Sequence, residues 1–150
     1  MTQRDLKNNI QVVHLNEMTL SGVTPEATDW VDTRGFDSCT FLVVTGVVTD
    51  AGTAAGIVFE VQDADDDAAA SAVAVNDLEL IGLESALSVL ADTDDNIISG
   101  TIGYVGDARF VRINATGSTL TDAIIIVIAV LTKGFRMPTD EGVGTSVAAT

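Results

Sequence analysis

Apolar and polar residues alternate over many short stretches of this chain, and a period of two is typical of β-strands with one buried face. Residues 57–62 show the pattern most clearly, because Ile57, Phe59 and Val61 would face a core while Glu60 would face solvent. No long amphipathic helix is predicted. The predicted strands are residues 9–15, 19–23, 30–33, 38–48, 57–62, 77–81, 97–105, 109–114 and 122–131.

Turn and breaker residues separate these strands. Pro25 is expected to end the strand before it, and Gly46 to mark a bulge or a bend. Two segments, 68–75 and 85–90, leave helix and strand both open. About eight to ten short strands with regular turn signals predict an all-β fold, a β-sandwich of the jelly-roll or Greek-key type.

The chain is predicted to form a single domain with two extensions. The sandwich is expected to span residues 10–131, between a flexible N-terminal arm (1–9) and an extended, flexible C-terminal tail (132–150) that contains several glycines and a proline. Such extensions often become ordered only against a neighbouring molecule.

Residues 103–113 are predicted to form a hairpin whose turn is Gly106-Asp107, because glycine adopts a positive φ at little cost. Its second strand carries Arg109 and Arg112, which lie three residues apart and should therefore point to opposite faces. We expect one of them to pair with a carboxylate of the same chain and the other to reach a partner. An ion pair within the chain is the alternative for both.

The last predicted strand, residues 122–131, is apolar on both faces. A strand of this kind is expected to be buried on both, either between two layers or beneath a partner subunit. One face would carry Ile124, Ile126, Ile128 and Val130, and the other Ile125, Val127, Ala129 and Leu131.

Charge excludes some partners. The 150 residues include 22 acidic and seven basic side chains, for a net charge of −15. Binding to nucleic acid or to an anionic membrane is not expected, since both need clustered lysine or arginine. The charge is explained by solubility in a salty medium, by a surface that must not adsorb nucleic acid or its own copies, or by both.

Targeting signals are not predicted. The first residues lack the apolar region of a signal peptide, and the longest apolar run, 123–131, is too short to cross a bilayer. We therefore expect a soluble protein that is made in a cytoplasm.

Catalytic chemistry finds little support in the sequence. His14 is the only histidine and Cys39 the only cysteine, and no nucleophile motif or phosphate loop accompanies them. Cys39 is expected to be a small core residue, and His14 a structural or surface residue. Neither an enzymatic activity nor a cofactor is predicted.

Asp63, Asp65 and Asp67 have the alternate spacing of a calcium loop. Ala68 stands where such a loop needs glycine, and Ala74 stands where it needs a bidentate glutamate. The segment is therefore either a solvated acidic turn or a weak site for a divalent cation.

Four short motifs resemble a known group of proteins. They are Trp30 to Phe41, Phe59 to Asp65, the segment Tyr104-Val105-Gly106-Asp107-Ala108-Arg109-Phe110-Val111-Arg112, and Ala129 to Pro138. Their order is similar to that in small structural proteins of tailed bacteriophages encoded near the major capsid protein, and the resemblance covers roughly residues 30–138.

The resemblance implies a non-enzymatic capsid decoration, or cement, protein. Such proteins bind the outer surface of the major capsid protein shell, often as trimers, and brace it against internal DNA pressure. Virion location, assembly in the host cytoplasm and a homo-oligomer, with a trimer favoured, are what it implies here. The alternatives are a head–tail joining or tail component and, from another class, a cation- or carbohydrate-binding β-module.

Interface residues are expected among the arginines and aromatics of the four motifs. Trp30 is either a core-edge anchor or an interface hot spot, since tryptophan is enriched in such spots. The full set of interface candidates is Trp30, Arg34, Arg109, Arg112, Phe135 and Arg136.

Overall fold

Residues 9–132, which the computed structural model describes, form two antiparallel sheets that face each other across one core. The predicted all-β sandwich is thereby confirmed. The first sheet contains, in spatial order, β1 (Ile10–His14), β11 (Asp122–Thr132), β5 (Ser38–Asp50), β9 (Ile98–Tyr104) and β8 (Leu80–Ile81), and β2 (Met18–Ser21) also pairs with β11. The second contains β3 (Pro25–Ala27), β10 (Phe110–Thr116), β6 (Val58–Ala64) and β7 (Val73–Ala74), and β4 (Val31–Asp32) also pairs with β10.

The core lies between the inner faces of the two sheets, where the period-two alternation places the apolar side chains. On β5, Cys39, Phe41 and Val43 are buried, as the sequence predicted, and β10 contributes Val111 and Ile113 from the other sheet. The inner face of β11 consists of Ala123, Ile125, Val127, Ala129 and Leu131, all at most 2% exposed.

Gly46 lies in a β-bulge, which confirms the predicted irregularity. Thr45 and Val48 of β5 pair with Ile125 and Ala123 of β11, so that three steps on one strand match two on the other. A Cβ atom on Gly46 would come within 3.0 Å of the side chain of Ile124, so the strands approach closely only because residue 46 is glycine.

A local side-chain hydrogen bond changed one of the predicted strands. Residues 77–81 were predicted to be one strand, but the Asn76 side chain accepts a hydrogen bond from the Leu78 backbone and begins a 3-10 turn, leaving only β8 extended. The ambiguous segments 68–75 and 85–90 also contain 3-10 turns, at Ala69–Ser71 and Glu84–Leu87.

Pro25 begins a short strand instead of simply ending one. It occupies the first position of β3, at the edge of the second sheet, where the missing N–H leaves no ladder partner unsatisfied.

The predicted hairpin at residues 103–113 is wrong. The strand before the turn, β9, belongs to the first sheet, and the strand after it, β10, belongs to the second, so residues 105–109 cross from one sheet to the other. Gly106 does not have a positive φ. It is required for a different reason, since a Cβ atom there would lie 2.6 Å from the ring carbon Cζ of Tyr104.

The hydroxyl of Tyr104 holds this crossing in place. It donates to Oδ2 of Asp63 at the end of β6 (2.9 Å) and accepts from the backbone N–H of Ala108 in the crossing segment (3.1 Å). Burial, together with the hydrogen bond to Asp63, keeps the pKa of Tyr104 well above its usual value, so the hydroxyl stays protonated. One side chain thus ties β9, the crossing and β6 together.

The first and last strands of the described chain are neighbours. β1 and β11 pair in antiparallel register from Ile10 opposite Thr132 to His14 opposite Ile128. The sandwich extends to Thr132, one residue beyond the predicted limit, and the rest of the predicted arm (1–9) and tail (132–150), apart from Asn9, lies outside the described residues.

Candidate interaction surfaces

The outer face of the second sheet carries a small apolar cluster that is separate from the main core. Trp30, Ala64 and Phe110 form it. Phe110 pairs in register with Ala64 on one side and with Asp32 on the other. Val31 points into the core, whereas Trp30, which precedes β4, lies in the outer cluster beneath the guanidinium of Arg112. We call Trp30, Asp32, Arg109, Phe110 and Arg112 the arginine–aromatic cluster.

Arg109 is paired within the chain. Its Nη2 lies 2.7 Å from Oδ2 of Asp32, its Nε donates to both carboxylate oxygens, and its guanidinium stands 4.5 Å above the ring of Phe110. Partial burial alone would raise the pKa of Asp32, but the hydrogen bonds from Arg109 and from the Arg34 backbone, with both positive charges, lower it below the usual value. Arg34 itself is 71% exposed, 3.7 Å from the same carboxylate.

Arg112 is held differently. Its guanidinium stacks 4.4 Å above the Trp30 ring and its Nε donates to Oε1 of Gln62 (3.0 Å), whose amide in turn donates to Glu60. Within residues 9–132 no carboxylate lies in ion-pair distance of Arg112. Burial lowers the pKa of this guanidinium. The expectation that one arginine pairs within the chain is therefore confirmed for Arg109. That the other arginine reaches a partner stays a prediction, and it now concerns Arg112.

The prediction that Arg109 and Arg112 point to opposite faces is wrong. Both guanidinium groups cover rings of the same cluster. The reason is that β10 begins at Phe110, so Arg109 precedes the strand and its direction does not follow the alternation. Trp30 is only 8% exposed, which makes it an anchor beneath Arg112, and the surface offered to a partner is the guanidinium above it.

An open cleft of about 370 Å³ lies beside this cluster. It is formed by the loop after β4 and the crossing segment, with Thr33, Arg34, Phe36, Asp107 and Arg109 among its lining residues. The cleft brings two of the predicted arginines together. Phe135 and Arg136, the other two interface candidates, lie outside the described residues.

The acidic segment after β6 does not form a metal site in the described chain. Within residues 9–132 no three acidic, histidine or cysteine side chains are arranged to hold an ion, and this applies to Asp63, Asp65 and Asp67. Asp63 is turned toward Tyr104 instead. Asp66 accepts from the Ala68 backbone, which closes the turn within the chain.

The two residues considered for catalysis are not arranged as a nucleophile and its base, since Cys39 lies in the core and His14 on the surface. Cys39 is 1% exposed, and burial raises the pKa of its thiol to about 12, so that it remains protonated as the sequence predicted for a core cysteine. His14 is exposed on β1, opposite Ile128 of β11.

The outer face of the first sheet is a second candidate surface, which we call the apolar face. Its side chains are only partly buried within the described chain, so the structure excludes a position of the last strand between two layers. Cover by a partner subunit, the other explanation of a strand apolar on both faces, stays a prediction. Neighbours in register continue the pattern across β1, β5 and β9. The apolar face consists of Val12, Leu42, Val44, Ile98, Ile124, Ile126, Ile128 and Val130.

Carboxylates avoid this face. Within β1, β5, β9 and β11 they occur only at Asp50 and Asp122, which are partners in register at one end of the sheet. Exposed apolar patches of several hundred Å² on soluble proteins usually mark interaction sites. Sequence reasoning recognised the apolar outer row of β11 but left open whether anything in the same chain covers it.

Comparison with known proteins adds little to this picture. The fold defines the chain as an all-β sandwich protein of two antiparallel sheets. No family model matches it, and no curated protein does. A similar solved structure comes from Bacillus, where endospore appendages form a family of disulfide-linked pili. It shares 9% identity, the match covers 89% of this chain and 97% of that one, and the TM-score is 0.33, too low to carry an argument.

No helix within residues 9–132 has the length and the apolar composition needed to cross a membrane.

Proposed function

We propose that this chain is a non-enzymatic structural protein of a bacteriophage virion, a capsid decoration protein that binds the outer surface of the major capsid protein shell. The observation that carries the structural role is the apolar face, which bears no carboxylate across its centre although the chain has a net charge of −15. An apolar sheet face left in water does not stabilise a protein of this composition, whereas the same face covered by another protein does. The assignment to a virion rests on the resemblance of the four sequence motifs.

The arginine–aromatic cluster supplies a directional contact for such a partner. Arg109 is neutralised by Asp32, but Arg112 is stacked, partly desolvated and without a carboxylate of its own among the described residues. A carboxylate of the shell protein would complete it with charge-assisted hydrogen bonds. Of the six interface candidates, Arg112 is therefore the one that we expect to contribute most.

Stabilisation of a shell would be additive. Each copy would contribute the modest free energy of one protein–protein interface, and the symmetry of the shell would repeat it many times. The resemblance further implies virion location on the outer capsid surface, assembly in the host cytoplasm and a homo-oligomer, for which it favours a trimer. We propose no reaction, because His14 is exposed on a strand and the thiol of Cys39 is buried and protonated.

Copy number in purified virions tests the proposal. Quantitative mass spectrometry would compare this chain with the major capsid protein of the same particles. We expect hundreds of copies in a simple ratio to the capsid subunit. About a dozen copies or fewer would instead assign the chain to the head–tail connector or the tail, whose symmetry sets low numbers. Absence from the particle would overturn the virion assignment.

A further inference from the structure

The outer face of the first sheet, with the apolar face and its polar neighbours taken together, has about the area of a standard protein interface. At about 4.8 Å between strands and about 3.3 Å per residue, β1, β11, β5 and β9 together cover roughly 600 Å² in plan. Side-chain relief brings the accessible area of this surface near the ~800 Å² per partner of a standard interface. The row of isoleucines along β11 lies near its middle, between β1 and β5.

Charge is distributed unevenly along the strands of this sheet. Asp50 and Asp122 lie at one end, and three further aspartates are fastened beside them by backbone hydrogen bonds. Asp92 accepts from Ala51, Asp95 accepts from Val48, and Asp94 accepts from Ala91 in the same loop. We call Asp50, Asp92, Asp94, Asp95 and Asp122 the acidic end. The opposite end, where Ser38 pairs with Thr132, is less acidic. Arg34 and Arg109 lie in its adjoining loops, where Asp32, Asp37 and Asp107 balance their charge.

We propose that a second copy of this chain covers the apolar face, in a twofold pair whose strands run in opposite directions. The two sheets would pack face to face at about 10 Å, with Ile126 and Ile128 of each copy close to the axis. Because the strands of the two copies run in opposite directions, the acidic end of each copy lies over the Ser38–Thr132 end of the other. The two acidic ends then lie about 35 Å apart, far beyond the screening length of about 8 Å at physiological salt.

The net negative charge also explains why a third copy would not add to the pair. Two chains of −15 repel each other over most of their surface, and the apolar face is the part where they approach without opposing carboxylates. A twofold contact uses the same patch on both copies and closes on itself. The acidic remainder of the surface would thus limit association to two copies, as the sequence suggested for a surface that does not adsorb its own kind.

This inference goes beyond the proposed function, because the pair would form in purified protein without any shell. With the apolar face covered by a second copy, the arginine–aromatic cluster on the other sheet is the surface left for the shell. It also differs from the trimer that the resemblance implies. Failure of the pair would leave the copy number in virions unaffected, so the two proposals fail separately.

Sedimentation of the purified full-length chain decides whether a pair forms. The concentration would run from about 1 to about 300 μM at physiological salt, a range that spans weak and moderate affinities. We expect the mass of one chain at low concentration and of two chains at high concentration, or the mass of two chains throughout the range. A single chain at every concentration overturns the proposal and assigns the apolar face to a different protein. An assembly of three chains overturns the twofold packing.

Substitution on the apolar face decides where the pair forms. Ile126→Lys would place like charges near the axis and should raise the dissociation constant more than about 100-fold. The matched control is Val58→Lys, because Val58 is an exposed valine (45%) on a strand of the other sheet. We expect this control to pair as the wild type does.

A milder pair of variants keeps the test decisive if a lysine disturbs folding. Ile126→Thr keeps a β-branched residue in the strand and should still weaken pairing by about tenfold or more, whereas Val58→Thr should not. Circular dichroism and thermal melts would establish that each variant is folded. Undiminished pairing of a folded Ile126 variant overturns the assignment of this face.

Discussion

The hydroxyl of Tyr104 connects the two sheets, and its removal is the most informative single change in the fold. Tyr104→Phe keeps the ring, which is 2% exposed, and deletes both hydrogen bonds, the one to Asp63 and the one from the Ala108 backbone. A hydrogen bond to a charged acceptor contributes about 1.5–3 kcal/mol, and the Ala108 N–H left without a partner adds to the loss. Asp63 is only partly buried and regains water, which reduces the sum.

We therefore expect Tyr104→Phe to lower the free energy of unfolding by about 2–3 kcal/mol. For a chain of 150 residues this corresponds to a melting temperature roughly 6–10 °C lower. Urea unfolding followed by tryptophan fluorescence and circular dichroism would measure the change, and thermal melts would check it.

A double-mutant cycle isolates the contribution of the inter-sheet contact. Asp63→Asn is the partner variant, and Asp65→Asn, in the same acidic loop but without a bond to Tyr104, is its matched control. We expect a coupling energy of about 1 kcal/mol or more between positions 104 and 63 and none between 104 and 65. A loss below about 0.5 kcal/mol for Tyr104→Phe, or equal coupling to both aspartates, would refute the role assigned to this hydroxyl.

Three further predictions concern the glycine beside Tyr104, the carboxylate paired with Arg109, and the proposed contacts with the shell. Gly106→Ala should destabilise the fold by about 1–3 kcal/mol in urea unfolding, because its Cβ would collide with the Tyr104 ring, and a neutral result would contradict the close approach. Asp32 has a lowered pKa in the folded state, so its contribution is present above its unfolded pKa and is lost as pH falls through the folded value. The stability difference between the wild type and Asp32→Asn should thus be constant near neutral pH and shrink in acid below about pH 4. Replacing Arg112 or Arg136 by Glu should lower occupancy on shells stripped of this protein at least tenfold while the fold stays intact, and unchanged occupancy with both replaced would remove these residues from the interface.

Residues 57–62 were predicted correctly because their inner and outer residues differ in polarity, so burial on one face imposes the alternation directly. Residues 38–48 and 122–131 were also predicted correctly as strands, although each carries apolar residues on both faces. The prediction of a strand over residues 77–81 was wrong because the alternation there competes with a hydrogen bond that the Asn76 side chain accepts from the Leu78 backbone. This bond outweighs a weak periodic signal over five residues.

Residues 103–113 illustrate what alternation cannot specify. A strand, a glycine turn and a second strand look the same whether the second strand returns along the first or enters the opposite sheet. The difference lies in long-range contacts, such as the pairing of β10 with β6 and the bond between Tyr104 and Asp63, which are 41 residues apart in sequence. The same limit applies to the arginine–aromatic cluster, since the stacking of Arg112 on Trp30 depends on pairing between distant strands.

The pairing of the first strand with the last also determines how this protein would respond to a pulling force. Ile10 and Thr132 are direct partners at the same end of β1 and β11, so a load applied at these two residues would open the ladder one rung at a time, like a zipper. Antiparallel partners of this kind have Cα atoms about 5 Å apart, so a few added residues would also join them. A circularly permuted chain built in this way would remove the zipper while leaving both sheets complete.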